Sequence, residues 1–153
     1  MLKNGYFPQF ELFRVPILIH WSYPIGAILL AVLIGDQKIS HIFPVIYSYT
    51  LLILIHELGH AFFAKMGKAK ILKITLDGLG GWCSIEEPRG FWPLLLFYCG
   101  GLVAQLVLLL ITILIVSVLG KPSTEELHII VFVFTYFNAL LMVTCIKPYA
   151  RYL

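Results

Sequence analysis

Three ionisable side chains stand close together in a largely apolar stretch, ILIHELGHAFFAKMG at residues 53–67. His56 and His60 are four residues apart, so on a helix they project from nearly the same face, about 40° apart. Neutral imidazole nitrogens at this spacing can coordinate one divalent ion, for which zinc is the usual choice. Glu57 can reach a water activated by that ion and act as its general base. The spacing therefore indicates metal-assisted hydrolysis, with His56 and His60 as ligands and Glu57 as the catalytic residue.

The rest of the chain has the composition of a membrane protein. Of its 153 residues, 60% are hydrophobic and 12% are charged, whereas about 25% are charged in a soluble domain. A charged residue in the middle of a membrane span costs about 2.5–3.5 kcal/mol on insertion scales, which favours a functional motif over a chance one. The net charge of +3 requires no nucleic acid partner. We interpret residues 1–153 as a single polytopic core embedded in a lipid bilayer.

Four apolar segments reach the roughly 17 residues that a membrane-spanning helix needs. They cover residues 16–35, 41–66, 91–119 and 127–149. Between the second and third, KILKITL alternates polar and apolar residues, GLGG interrupts it, and WCSIEE follows as another short extended run. The predicted fold is a mainly α membrane protein of about four transmembrane helices, with a small membrane-associated β-hairpin between helices 2 and 3. An edge of that hairpin could pair with an extended peptide.

The distribution of basic residues predicts the orientation. If the chain spans four times, one side holds nine lysines and arginines and the other holds two, namely Lys38 and Lys121. The richer side is expected to be cytoplasmic, which places both termini and the hairpin there and makes this a multi-pass integral membrane protein. His41 and His128 then face solvent at the opposite surface.

Asp77 allows two interpretations. As a third ligand it would complete a site of two histidines and one carboxylate. As the residue before Gly78 it would form the turn of the hairpin, where Asp-Gly is common. We favour the turn.

The segment HELGHAFFAKMGKAKILKITLDGLGGWCSIEEP resembles the site-2 protease family of intramembrane zinc metalloproteases. In that family a HExxH helix is followed by a short basic stretch, a membrane-associated hairpin and an LGG-type turn. VPILIHWSYPIGAILL resembles the family's opening segment, and FYCGGLVAQLVLLL resembles its third helix, with Cys99, Gly100 and Gly101 where Ala-Gly-Pro is common.

The resemblance implies regulated intramembrane proteolysis: a hydrolase with one zinc ion that cleaves a transmembrane segment of a membrane-protein substrate near the cytoplasmic face. The hairpin edge around residues 74–81, including Gly80 and Gly81, would align the unwound substrate. Asn138 would either orient the substrate or hydrogen-bond a neighbouring helix, and we favour helix packing.

The C-terminal segment departs from the family pattern, in which NxxPxxxxDG supplies an aspartate as the third zinc ligand. FNALLMVTCIKPYARYL has Asn138 and Pro148 but places Cys145 at the motif's asparagine, and no acidic residue follows Glu126. Three interpretations stay open: the chain stops before the third ligand, another group replaces it, or this is a non-catalytic homologue that binds metal or substrate. We favour the first.

Overall fold

A computed structural model describes residues 5–7, 9–34, 39–78, 80–86 and 90–149, with side chains as far as residue 143. The elements in chain order are β1 (Phe10–Leu12), β2 (Val15–Ile19), α1 (Ser22–Ile34), α2 (Ile39–Met66), β3 (Ile71–Asp77), β4 (Gly80–Ile85), α3 (Phe91–Leu119), α4 (Glu125–Phe132), a π-helix (Val133–Phe137) and α5 (Asn138–Tyr149).

The strands form one four-stranded sheet in the order β1-β2-β3-β4. The predicted hairpin is confirmed as the antiparallel pair β3–β4, and an N-terminal hairpin, β1–β2, extends it through a parallel pairing of β2 with β3. Successive side chains of a strand point to opposite faces of a sheet. Alternate residues therefore form one apolar face, which packs with Tyr49 and Ile53 of α2 in the core. The strand residues buried in that core are Val15, Ile17, Ile74 and Leu76.

The second and third predicted spans correspond closely to α2 and α3. Within the described residues, three helical stretches are long and apolar enough to cross a membrane: Ile39–Met66, Phe91–Leu119 and Glu125–Val143. The last of these contains the π-helical turn, which ends where Asn138 begins α5. π-Helical turns widen a helix locally and are frequent at functional sites.

The prediction of a membrane-spanning helix over residues 16–35 is wrong. The run divides into strand β2 and helix α1, which has only 13 residues. Its first part is apolar because β2 is packed inside the sheet, and hydropathy alone cannot distinguish a buried strand from a helix. Just after β2, the His20 N–H donates to the Leu76 carbonyl oxygen of β3 at 2.8 Å, and the pairing of β2 with β3 ends there.

Candidate functional site

The two histidines of the motif lie together on the buried side of α2. Their Nε2 atoms are 3.0 Å apart, and the residues are 8% and 5% exposed. His60 Nδ1 lies 2.7 Å from the Phe97 carbonyl oxygen of α3. Because a carbonyl only accepts, Nδ1 carries the proton, and in the neutral ring this leaves a lone pair on Nε2. A hydrogen bond of this kind is the usual way in which proteins orient a metal-binding imidazole.

Polar groups of α3 and α5 support His56. The Gln105 side chain lies beside the His56 ring, and both residues are almost fully buried. Asn138 is 0% exposed. Its Nδ2 donates to the backbone carbonyl oxygen of Gln105 at 3.0 Å and to that of Phe134 at 3.3 Å. Among the described residues, His56 Nδ1, Gln105 Oε1 and Asn138 Oδ1 are buried without a hydrogen-bond partner of good geometry. Asn138 therefore joins α5 to the part of α3 that contacts His56, as helix packing would require.

The hairpin covers Glu57. This residue is 4% exposed, and its carboxyl group lies against the backbone N–H of Cys83 in β4. A Cβ atom added to Gly81 would lie 2.7 Å from Glu57 Cγ, so only glycine fits in this strand position without moving the side chain. At Gly80 a Cβ atom would meet nothing within 4 Å. Of the two glycines predicted to bind substrate, Gly81 contacts the motif and Gly80 does not.

Two glycines of α3, Gly100 and Gly101, lie against the motif, a role that the resemblance of this helix to the family's third helix did not assign to them. A Cβ atom on Gly101 would lie 2.5 Å from His60 Nε2 and 2.7 Å from His56 Nε2. A Cβ atom on Gly100 would lie 2.6 Å from the Gly59 carbonyl oxygen. Gly100 thus allows α2 and α3 to approach closely, and Gly101 leaves a space in front of both imidazole nitrogens. The sequence signal was the glycine pair itself in an otherwise bulky apolar helix.

Asp77 lies at the turn end of β3, where it pairs with Gly80 across the hairpin. Gly78 follows it with φ of +48°, so Asp77 is the last residue of β3 and Gly78 begins the turn. No group of three or more histidine, cysteine or acidic side chains suited to a metal occurs in the described part of the chain. The described residues therefore fit two positions of a zinc site, through His56 and His60. The segment in which the family pattern has its third zinc ligand comprises Cys145, Pro148 and the residues after them. Their side chains lie outside the described structure.

Comparison with known proteins gives a similarity of fold. No protein-family model matches the chain, and no curated protein matches it by sequence. Among solved structures, a site-2 protease from Methanocaldococcus jannaschii is similar with a TM-score of 0.63 and 19% sequence identity. The match covers 87% of this chain and 63% of that one. The fold is therefore similar to that of a site-2 protease, and the chain spans less than two thirds of the length of that protein.

Proposed function

We propose that this chain is the core of an intramembrane zinc metalloendopeptidase that hydrolyses a peptide bond within a transmembrane segment of another membrane protein. The observation that carries the proposal is the pair of buried imidazole Nε2 atoms 3.0 Å apart, next to a buried carboxyl group. The similarity to a site-2 protease fold supports the same function.

Each group then has a defined task. His56 and His60 would hold zinc, and zinc supplies Lewis-acid polarisation of the scissile carbonyl and a lowered pKa for water. The Phe97 carbonyl keeps His60 in the tautomer that presents Nε2. Glu57 takes a proton from the attacking water and returns it to the leaving amine, since a carboxylate at hydrogen-bond reach can do both. Packing of β4 over Glu57, which is 4% exposed, restricts bulk water at its carboxyl group.

β4 is one of the two outer strands of the sheet, the other being β1, and it is the outer strand that contacts Glu57. This adjusts the sequence-based expectation for substrate alignment. Ile74 belongs to β3, and β3 is paired with β2 on one side and β4 on the other, so its backbone cannot accept another strand. Gly80 and Gly81 begin β4, which has a sheet partner on one side only within the described residues. An unwound substrate that paired with this edge would run past Glu57, which contacts Gly81 and Cys83 of the same strand.

Glu57→Gln tests the proposed base. The amide retains the shape of the carboxyl group but cannot take up the proton, so cleavage of a reconstituted transmembrane reporter should fall by about 10²–10⁴-fold. Zinc content of the purified protein should stay near that of the unaltered chain, because both imidazoles are intact. Glu126→Gln, a change of the same type at an exposed residue of α4, serves as the matched control and should cleave normally. Full cleavage by the Glu57 variant would contradict the assignment.

A second candidate is a non-catalytic membrane homologue that binds metal or substrate. The observation that favours it is the number of ligands. The described residues provide two, His56 and His60, whereas hydrolytic zinc sites use three protein ligands. This candidate predicts that the unaltered chain captures a transmembrane reporter without cleaving it, and that capture is equal in Glu57→Gln. Cleavage that depends on Glu57 would exclude it.

A further inference from the structure

A groove of about 560 Å³ lies against α2 on the side away from the histidines. Leu58, Phe62 and Lys65 of α2 line it, together with Phe13 and Arg14 from the loop between β1 and β2. On a helical wheel Leu58, Phe62 and Lys65 fall roughly opposite the face that carries His56 and His60. The groove is therefore separate from the candidate zinc site.

Polarity changes along the length of this groove. Lys65 lies in the last turn of α2, and Leu58 lies about 10 Å further into the helix by its rise per residue. The walls between them are apolar, and Phe62 and Phe13 are 61% and 80% exposed. Among the described residues, Lys65 and Arg14 form no ion pair. The end of the groove at Lys65 is thus cationic. The end at Leu58, nearer the middle of α2, is lined by hydrocarbon side chains.

The loop that supplies Phe13 and Arg14 has an unfavourable backbone. Leu12 pairs with Val15, so these two residues form a two-residue hairpin loop, and their φ angles are +52° and +65°. Such a loop is the type I′ turn, for which Asn-Gly is preferred because both positions need positive φ. The third non-glycine residue with positive φ in the described chain is Lys68, which precedes the groove residue Ala69. The positive φ of Lys68 belongs to the C-cap of α2, where the Lys68 N–H donates to the Lys65 carbonyl and the Ala69 N–H to the Ala64 carbonyl. The β1–β2 loop has no such role, and it keeps Phe13 and Arg14 at the groove although Asn-Gly would relax its backbone.

We propose that this groove binds an anionic phospholipid, with its phosphate at Arg14 and Lys65 and one acyl chain along Leu58 and Phe62. The order of cationic and apolar walls follows the order of headgroup and chain in a lipid of the cytoplasmic leaflet. A soluble phosphate would leave the apolar wall wet. A peptide would bring backbone N–H and C=O groups that the side chains of Leu58 and Phe62 cannot satisfy.

Native mass spectrometry of the delipidated full chain tests this, with phosphatidylglycerol and phosphatidylcholine of identical acyl chains as the added lipids. We expect phosphatidylglycerol to bind at least 10-fold more tightly. Arg14→Gln and Lys65→Gln should each reduce that preference, and the double variant should remove it. Lys73→Gln is the matched control, because it removes one positive charge from an exposed residue of β3 outside the groove. Equal effects of the groove variants and the control would overturn the proposal.

A second variant separates lipid binding from folding. Phe13→Asn with Arg14→Gly installs the preferred turn residues, so the melting temperature should not fall, while phosphatidylglycerol binding should decrease. Unchanged binding in this variant would overturn the proposal. So would equal affinity for glycerophosphoglycerol, which has the headgroup but no acyl chains and would indicate a soluble phosphate site. A photo-crosslinker in place of Phe62 should label lipid in reconstituted vesicles, and labelling of a co-reconstituted transmembrane peptide instead would indicate a peptide groove.

Discussion

Gly101 is the residue whose missing side chain matters most for metal binding. Its Cβ atom would lie within 2.7 Å of both imidazole Nε2 atoms, closer than any non-bonded contact permits. Gly101→Ala should therefore fill the space that the zinc proposal requires and raise the Kd for zinc at least about 10-fold, a loss of about 1.4 kcal/mol in binding free energy, so that less zinc is retained on purification. Alanine favours helix over glycine, so α3 itself should not weaken.

Zinc per protein, measured by atomic emission, checks this prediction. Val103→Ala on the same helix is the control, because its side chain is partly exposed and only loses methyl groups. Normal zinc content in Gly101→Ala would mean that the metal, if bound, does not lie between the two imidazoles.

Gly81 provides the matching test for Glu57. An added methyl group would lie 2.7 Å from Glu57 Cγ and 2.9 Å from its Oε1, so the carboxylate must turn away while the strand stays in place. Gly81→Ala should reduce cleavage by at least about 10-fold with zinc content unchanged, since misplacing a general base removes part of its 10²–10⁴-fold contribution. Gly80→Ala is the control in the same strand, because its Cβ atom would meet nothing within 4 Å. Equal activity of the two variants would show that the hairpin does not position Glu57.

The crossing of α2 and α3 depends on small residues. A Cβ atom on Gly59 would lie 2.5 Å from the Gly100 carbonyl oxygen and 2.6 Å from Ala104 Cβ. These are largely backbone contacts, so a larger side chain must push the helices apart rather than rotate aside. Gly100→Leu should destabilise the protein by about 1–3 kcal/mol, the usual cost of overpacking.

Thermal melting in detergent, followed by circular dichroism, measures that loss. Cys99→Leu is the neighbouring control, because Cys99 is exposed. If Gly100→Leu melts at the same temperature as this control, the close crossing contributes nothing to stability.

The elements differ in how far the sequence alone predicts them. α2 and α3 follow from hydropathy, and β3–β4 follows from alternation and an Asp-Gly turn, because these signals are local. Hydropathy predicts β2 as part of a helix, because its pairing with β3 is a contact between residues 17–19 and 74–76, far apart in the chain. The same reason applies to Gly101 and Gln105, whose roles depend on which face of α3 meets His56. His41 was expected to face solvent, but it is 9% exposed and lies 3.0 Å from Glu125 of α4.

At the scale of the whole molecule, the short α1 is explained by where the sheet lies. Gly78 N–H donates to Ser22 Oγ at 3.0 Å, so α1 begins beside the hairpin turn. The neighbouring Gly81 contacts Glu57, which lies about 13 Å from the Met66 end of α2 by the rise per residue. If the Met66 end of α2 lies at one surface of the membrane, a 13-residue helix of about 20 Å that starts at this depth would cover the rest of a hydrocarbon core of about 30 Å. A full span is not needed for α1 to reach the opposite surface.

This arrangement predicts the sidedness of the chain. If α1 completes a crossing that begins at the sheet, the hairpin and the α3–α4 connection lie on opposite sides of the membrane, as four complete spans would also place them. Lys73→Cys in β3 and Lys121→Cys after α3 are suitable single-cysteine reporters, since both lysines are exposed. The native cysteines should first be replaced by alanine. Of these, Cys83 should react slowly in any case, because burial raises the pKa of its thiol to about 12.

A membrane-impermeant maleimide applied to sealed vesicles should label one reporter from outside and the other only after the vesicles are opened. The excess of basic residues predicts that Lys73→Cys is the cytoplasmic one, so it should be protected in intact cells while Lys121→Cys is labelled. Labelling of both from the same side would contradict an odd number of crossings between them. Since α3 is the helix that separates the two reporters, that result would place α3 along the membrane surface and remove the basis for a site buried within the bilayer.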